Sequence, residues 1–258
     1  MTTCTFVSQT TGPIGLALDL PAGSVRVQVL DSITTARVEL RTDDSSGPAA
    51  DAVNRARGRQ DGETLAVAVP ELPGNVMMQS VRGNRVTQSM GTFYGSVTGV
   101  TIINGRVVTG HGTGVMETVS MIEAVVSLPA GSSVEVVSTS ADASVYGAVD
   151  WLEFRSVSGD LYADAARALA ARTTSGDVAV GRVSESVWAR SVSGDIRIAQ
   201  YDGQHAQLAT TSGDVTVQAT SAASGLVTAH SVSGDVSVSG PGHLRVTANS
   251  ISSRVRNR

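Results

Sequence analysis

The triplet Ser-Gly-Asp recurs five times in the C-terminal half of this 258-residue chain. The copies are Ser158-Gly159-Asp160, Ser175-Gly176-Asp177, Ser193-Gly194-Asp195, Ser212-Gly213-Asp214 and Ser233-Gly234-Asp235, at intervals of 17, 18, 19 and 21 residues. Degenerate copies flank the array, Ser140-Ala141-Asp142 before it and Ser252-Ser253-Arg254 after it. Each triplet precedes an alternating apolar pattern (Leu161/Ala163, Val178/Val180, Ile196/Ile198, Val215/Val217, Val236/Val238) and follows a weaker one (Leu152/Phe154, Leu169/Ala171, Val187/Ala189, Ala206/Leu208, Val227/Ala229, Val246/Ala248). Period two is the signature of a strand with one buried face. Turn formers such as Gly181, Asp202-Gly203 and Gly240-Pro241-Gly242 separate the strands. One repeat is therefore strand, turn, strand, turn. Two short strands bury nothing alone, but stacked copies pair each strand with its equivalent ~4.8 Å away.

The fold class this predicts is an all-β solenoid, of either hand, with a thin interior of Val, Ile, Leu and Ala. The composition agrees: aromatic residues are 3% of the chain and there are 27 Gly. In the N-terminal half Leu20-Pro21-Ala22-Gly23-Ser24 recurs as Leu128-Pro129-Ala130-Gly131-Ser132, each copy after an alternating strand. Strands are predicted near 14–20, 24–30, 33–41 and 63–69, and a short helix over 48–57 with Pro48 in its first turn. The chain reads as one continuous domain: residues 1–71 form an N-terminal solenoid part, 72–118 an inserted Met/Gly-rich hairpin segment and 119–258 the regular array.

The Ser-Gly-Asp-Val strands, the Gly23-Ser24-Val25-Arg26-Val27 strand and the Leu-Pro-Ala-Gly-Ser motif resemble the bacterial "putative adhesin" family of β-strand repeat domains. The resemblance covers roughly residues 12–70 and 119–258, with 72–118 departing from it. It implies a β-repeat fold and carries no agreed biochemical activity.

The balance of 19 basic residues, all Arg, against 23 acidic ones gives a net charge of -4. That argues against bulk nucleic-acid or membrane binding. Cys4 is the single cysteine, which excludes an intrachain disulfide. The first 19 residues have neither a basic region nor an unbroken apolar run, so the expected compartment is the cytoplasm. No stretch approaches the ~18 apolar residues a membrane span needs, so membrane insertion is not expected.

Three groups of residues could carry function. The first is the Asp column, which a stacked solenoid would align as a calcium ladder or a polysaccharide-cleaving groove. Turn chemistry explains it more simply, with Gly supplying positive φ and Ser and Asp bonding nearby N–H groups. The second is Arg155, Arg172 and Arg190, one outward position in consecutive coils, a candidate ladder for phosphates or carboxylates of a polymer. A solvated face paired with local acids is the plainer reading. The third is a candidate interaction surface formed by Met77, Met78, Met90, Phe93, Tyr94, Ile102, Ile103 and Val107 of the insertion, where Asn104-Gly105 signals a hairpin turn. Arg254, Arg256 and Arg258 on the last strand join it, as gatekeepers against endless stacking or as a basic tail.

His111, His205, His230 and His243 share no metal-ligand spacing. The nearest carboxylate pairs, Asp150/Glu153 and Asp160/Asp164, lack His, Tyr or Lys support in the reading of the sequence. No catalytic residue, metal or cofactor is expected. The sequence thus points to a self-associating cytoplasmic scaffold whose partner is itself or another protein. A polymer-binding adhesin-like module is the main alternative and a polysaccharide-active β-helix enzyme a lesser one.

Overall fold

The computed structural model describes residues 1–73, 76–82, 85–90, 100–103, 106–109 and 117–257. The N-terminal part contributes β1 (Thr2–Val7), β2 (Gly15–Asp19), β3 (Ala22–Leu30), β4 (Arg37–Thr42), α1 (Pro48–Asn54), β5 (Arg57–Asp61) and β6 (Thr64–Ala68). The insertion contributes β7 (Val76–Arg82), β8 (Arg85–Met90), β9 (Val100–Ile103), β10 (Arg106–Thr109) and β11 (Glu117–Ser120). After it come β12 (Glu123–Pro129), β13 (Ser133–Val137), β14 (Ser140–Arg155), β15 (Leu161–Arg172), β16 (Val178–Arg190) and β17 (Ile196–Tyr201). The array ends with β18 (His205–Thr210), β19 (Val215–Ala219), β20 (Leu226–Ser231), β21 (Val236–Ser239), β22 (Arg245–Ser250) and β23 (Val255–Asn257).

The repeat array folds as a β-solenoid of about 6 turns. Two parallel ladders run along it. The first side stacks β3, the first half of β14, β15 and β16, then β17, β19, β21 and β23. The second side stacks β2, β13, the second halves of β14, β15 and β16, then β18, β20 and β22. The alternating positions are those the sequence indicated: Val178, Val180, Ile196, Ile198, Val215, Val217, Val236 and Val238 are all buried. A slip in pairing marks the corner between the two sides, near Val145–Ala148 in β14–β15 and near Ala166–Ala168 in β15–β16. Phe154 and Tyr201 are the largest fully buried side chains in a core otherwise made of aliphatics.

The N-terminal coils interlock. β12 pairs parallel with β3, while β13 pairs parallel with β2. The two Leu-Pro-Ala-Gly-Ser copies therefore turn opposite corners: the first joins β2 to β3, the second joins β12 to β13. Their equal sequences take different local conformations: Ala22-Gly23 already belongs to β3, with Gly23 at φ 133°, whereas Ala130-Gly131 forms a turn, with Gly131 at φ 78°.

This end also departs from the parallel stack. β4 pairs antiparallel with β12, β1 antiparallel with β4, and β5 antiparallel with β6. Helix α1 buries Ala49, Ala50, Ala52 and Val53 and packs on β1 and β4. Small residues let so short a helix sit flush over the solenoid interior. Three boundaries differ from those read in the sequence. The helix ends at Asn54, and Arg57 already begins β5. The strand expected over 33–41 runs Arg37–Thr42, with its buried Val38 and Leu40. β1, whose Cys4 and Phe6 pack in part on the core, and the mostly exposed β5 are outer cap strands outside the strands expected from sequence.

In the insertion β7 pairs antiparallel with β8 and parallel with β11, and β9 with β10 as a hairpin. Met77 stands opposite Met90, and Ile102 opposite Val107. Phe93, Tyr94, His111, Arg258 and the Asn104-Gly105 turn lie outside the described residues. At the insertion's C-terminal end Asp44 accepts hydrogen bonds from the Ser120 N–H and hydroxyl, both 2.8 Å, and Val119 joins the core.

Candidate functional site

The Ser-Gly-Asp corner shows what each residue type does. The Asp column is a hydrogen-bonded ladder. Oδ1 of Asp142 accepts the N–H of Asp160, and the same bond runs Asp160 to Asp177, Asp177 to Asp195, Asp195 to Asp214 and Asp214 to Asp235, over 2.7–3.0 Å. Asp235 accepts the Arg254 N–H at 3.1 Å, and there the chain of carboxylates stops. The bond reaches the next coil and not the local turn expected from sequence. Burial raises the Asp142 carboxyl above its usual range even though it accepts the Asp160 N–H.

The glycines correct a second expectation. No triplet glycine has positive φ. They are required by close approach: a Cβ on Gly159, Gly176, Gly194, Gly213 or Gly234 would stand 1.9–2.3 Å from a carbonyl oxygen of the coil before it. Two residues before each Ser-Gly-Asp lies an inward Ser or Thr that the sequence reading missed. Hydroxyls of Thr173, Ser191, Thr210, Ser231 and Ser250 donate to the Gly159, Gly176, Gly194, Gly213 and Gly234 carbonyls over 2.8–3.5 Å. These buried hydroxyls satisfy the carbonyls that a tight corner strands. The pattern [Ser/Thr]-x-Ser-Gly-Asp was visible in the sequence as a constant hydroxyl before a variable residue.

The Arg column lies on the second side, in register: Arg155 opposite Arg172, Arg172 opposite Arg190, then Ala209 and His230. All three arginines are exposed. Arg155 is paired with Glu153 and lies 3.7 Å from Glu135. Arg190 stacks its guanidinium over the Trp188 ring at 5.1 Å. Arg172 has no acidic partner among the described residues. Trp151, 39% exposed, sits on the same side opposite Ala168, and Trp188 opposite Ala170. Neither tryptophan stood out in the sequence, because they occupy different outward positions of coils two apart.

Most other ionisable groups on the sides are committed. Arg167 spans three coils, bound through two nitrogens to Asp150 at 2.6 and 2.9 Å and also to Glu185. The Arg167 bond holds the Asp150 carboxyl below its usual range and raises the guanidinium. Asp202 accepts from the Thr220 hydroxyl and from Arg182 at 2.5 Å, which lowers its carboxyl too. Asp164 accepts from the Tyr162 hydroxyl and the Gly147 N–H, both 3.0 Å. Neither carboxylate pair considered from sequence, Asp150/Glu153 or Asp160/Asp164, is thus a free acid and base. Among the described residues no group of three His, Cys, Asp or Glu is arranged to hold a metal ion. His243 bonds the Ala223 carbonyl at 2.9 Å.

An open cleft of about 890 Å³ lies at the capped end, lined in part by Asp19, Arg55, Arg57, Glu71, Ser138 and Thr139. Burial and the nearby Glu71 raise the Asp19 carboxyl. Arg254 and Arg256 stand exposed at the other end, on and beside β23.

The family described as Toastrack DUF4097 matches residues 27–256. Two solved structures share the fold. One is a "putative adhesin" from Parabacteroides distasonis ATCC 8503, with 12% identity and a TM-score of 0.50 over 100% of this chain and 97% of that one. The other is a "putative adhesin" from Bacteroides fragilis NCTC 9343, with the same values. At this identity the likeness is one of fold. No curated protein matches the chain.

Proposed function

The chain belongs to the Toastrack DUF4097 family, and we propose that it serves as a non-catalytic binding module whose working surface is the side of the solenoid. One observation carries the reading. The acids on the sides are tied to backbone N–H groups, arginines or hydroxyls, while large aromatic rings stay exposed: Trp151, Tyr146 and Tyr162. Bound carboxylates are poor proton donors and acceptors, and exposed rings are what a recognition surface needs. The structural neighbours named adhesins accord with this reading. The test is to screen the purified full chain against immobilised acidic and neutral glycans while assaying the eluate for new reducing ends. Binding without new ends is expected. Release of new ends would replace this reading with the enzyme one, and no binding to any glycan would remove it.

Self-association is the second reading, favoured by a specific feature. Among the described residues the outer edges of β22 and β23 carry no strand partner, and Val246 and Ala248 are only half-buried there. At the opposite end α1 packs on β1 and β4, and the outermost strands β1 and β5 run antiparallel to their neighbours, so that end does not continue the parallel stack and a pair is favoured over a filament. Arg254 and Arg256 at that edge oppose even a pair. Light scattering across a concentration series should give a constant monomer mass if the binding reading holds alone. A dimer would support self-association, and a growing polymer would contradict the capped end. The cytoplasmic setting belongs to the proposal and is tested by cell fractionation.

A further inference from the structure

Resting on the binding-module reading, we infer that the second side of the solenoid holds a site for a carboxylate-bearing polysaccharide, centred on Arg172 between Trp151 and Trp188. Three arginines stand in register on adjacent strands, at the strand spacing of ~4.8 Å. Only Arg155, at one end, is answered by acids. Arg190 is turned onto an indole. Arg172, in the middle, keeps its planar fork of donors facing solvent, with no carboxylate within ion-pair distance among the described residues. Such a fork is matched by a carboxylate, bidentately.

The surface beside Arg172 favours a sugar. In its coil the residues in register with the tryptophans are both small: the buried Ala168 beside Trp151 and the half-buried Ala170 beside Trp188. The middle coil is thus a low step flanked by indoles. The C–H faces of pyranose rings pack on such indoles, and one ring advances along a chain by close to one coil spacing.

Charge on the far side selects among polyanions. Asp160, Asp177 and Asp195 follow the three arginines by five residues, across an exposed corner of Val157 or Val192, Thr174 and the triplet serines. A polymer with dense charge on every edge meets these carboxylates. A polyuronate, with one carboxylate per ring and hydroxyls elsewhere, sets its charge against the arginines and its hydroxyls against serine and aspartate acceptors. The net charge of -4 makes this local match, and not a general field, the source of affinity.

The experiment titrates the full chain with polygalacturonate, with its fully methyl-esterified form and with single-stranded DNA of equal charge. Polygalacturonate should bind best, and more weakly as salt rises. Arg172→Ala should weaken it about tenfold, and Arg172→Lys by less, with melting temperature unchanged because the residue is exposed. Trp151→Ala should weaken binding several-fold without altering the salt dependence. Equal binding of the ester or of DNA, or an Arg172→Ala variant that binds as well as the parent, would overturn the inference. Binding of neutral glycans without polygalacturonate would overturn it and leave the binding-module reading standing. Binding of nothing would end both.

Discussion

Replacing Gly194 by Ala sets two effects of opposite sign against each other. Gly194 is outside the positive-φ set, so its backbone suits any residue. By chain entropy alone, Ala there stabilises by about 0.4–1 kcal/mol. The packing says otherwise. The new Cβ would lie 2.1 Å from the Gly176 carbonyl oxygen, 2.6 Å from its carbon and 2.9 Å from the Ser191 hydroxyl. The first two are backbone atoms of the adjacent coil and do not swing aside, so the coils must part by roughly 1 Å at this corner. Overpacking of this kind costs about 1–3 kcal/mol. Parting also stretches the Asp195 N–H bond to Asp177 at 2.8 Å and the Ser193 N–H bond to Thr174 at 2.7 Å, each worth about 1 kcal/mol. The net expectation is a loss of about 3 kcal/mol, or roughly 10 °C in melting temperature for a chain of this size. Thermal and urea unfolding followed by circular dichroism read it directly. Gly62→Ala is the control: its φ is +57° and nothing lies within 4 Å, so it should cost only about 1 kcal/mol of backbone strain. A Gly194→Ala protein as stable as the parent would refute the close approach, and with it the coil-on-coil register.

The other predictions concern single interactions. Asp195→Asn keeps an oxygen to accept the Asp214 N–H and removes a like charge from the stack, so its urea midpoint should equal or exceed the parent's; Asp195→Ala should fall about 1 kcal/mol below the Asn variant, and a reversed order would show that the carboxylate charge itself is needed. Tyr201→Phe removes a fully buried hydroxyl with no well-formed hydrogen bond among the described residues and only the His205 backbone near it, so stability should hold or rise by about 1 kcal/mol; a drop of that size would show that the His205 contact holds the hydroxyl. Arg167→Ala tests the acid limb. Because Asp150 is held below the ordinary 3.8, its pairing adds stability above the unfolded-state pKa and loses it as pH falls through the lower folded-state value. The gap between parent and variant should therefore be small at pH 7, as exposed pairs are, and close as pH falls below about 3.8; a gap that widens in acid would contradict this.

The solenoid was legible in the sequence because its signals are local and repeated. Alternation at Ile196/Ile198 or Val215/Val217 fixes which side chains face inward, and the recurring triplet fixes the coil length. The cap was not legible, because β5 is exposed along most of its length and β1 buries only Cys4 and Phe6, each in part, and the interlock of β2–β3 with β12–β13 is a matter of chain path that no local pattern encodes. The triplet's chemistry was read by analogy with isolated turns. In a stack the next coil is the nearest neighbour, so Asp160 bonds Asp177 and Gly176 yields to the Gly159 carbonyl. Arg155, Arg172 and Arg190, read from sequence as one outward position in consecutive coils, stand exposed and in register. What distinguishes Arg172 from Arg155 and Arg190 depends on Glu135, Glu153 and Trp188, side chains whose reach only the three-dimensional arrangement defines.

Hydrogen–deuterium exchange of the full chain, with and without saturating polygalacturonate, tests most directly whether the side of the solenoid is the working surface. Added protection should centre on residues 151–155, 168–172 and 186–190, the three strand segments that carry the tryptophans and arginines. Protection confined to the capped end, residues 1–70, or to the open edge, residues 245–257, would contradict the account, as would no change at all.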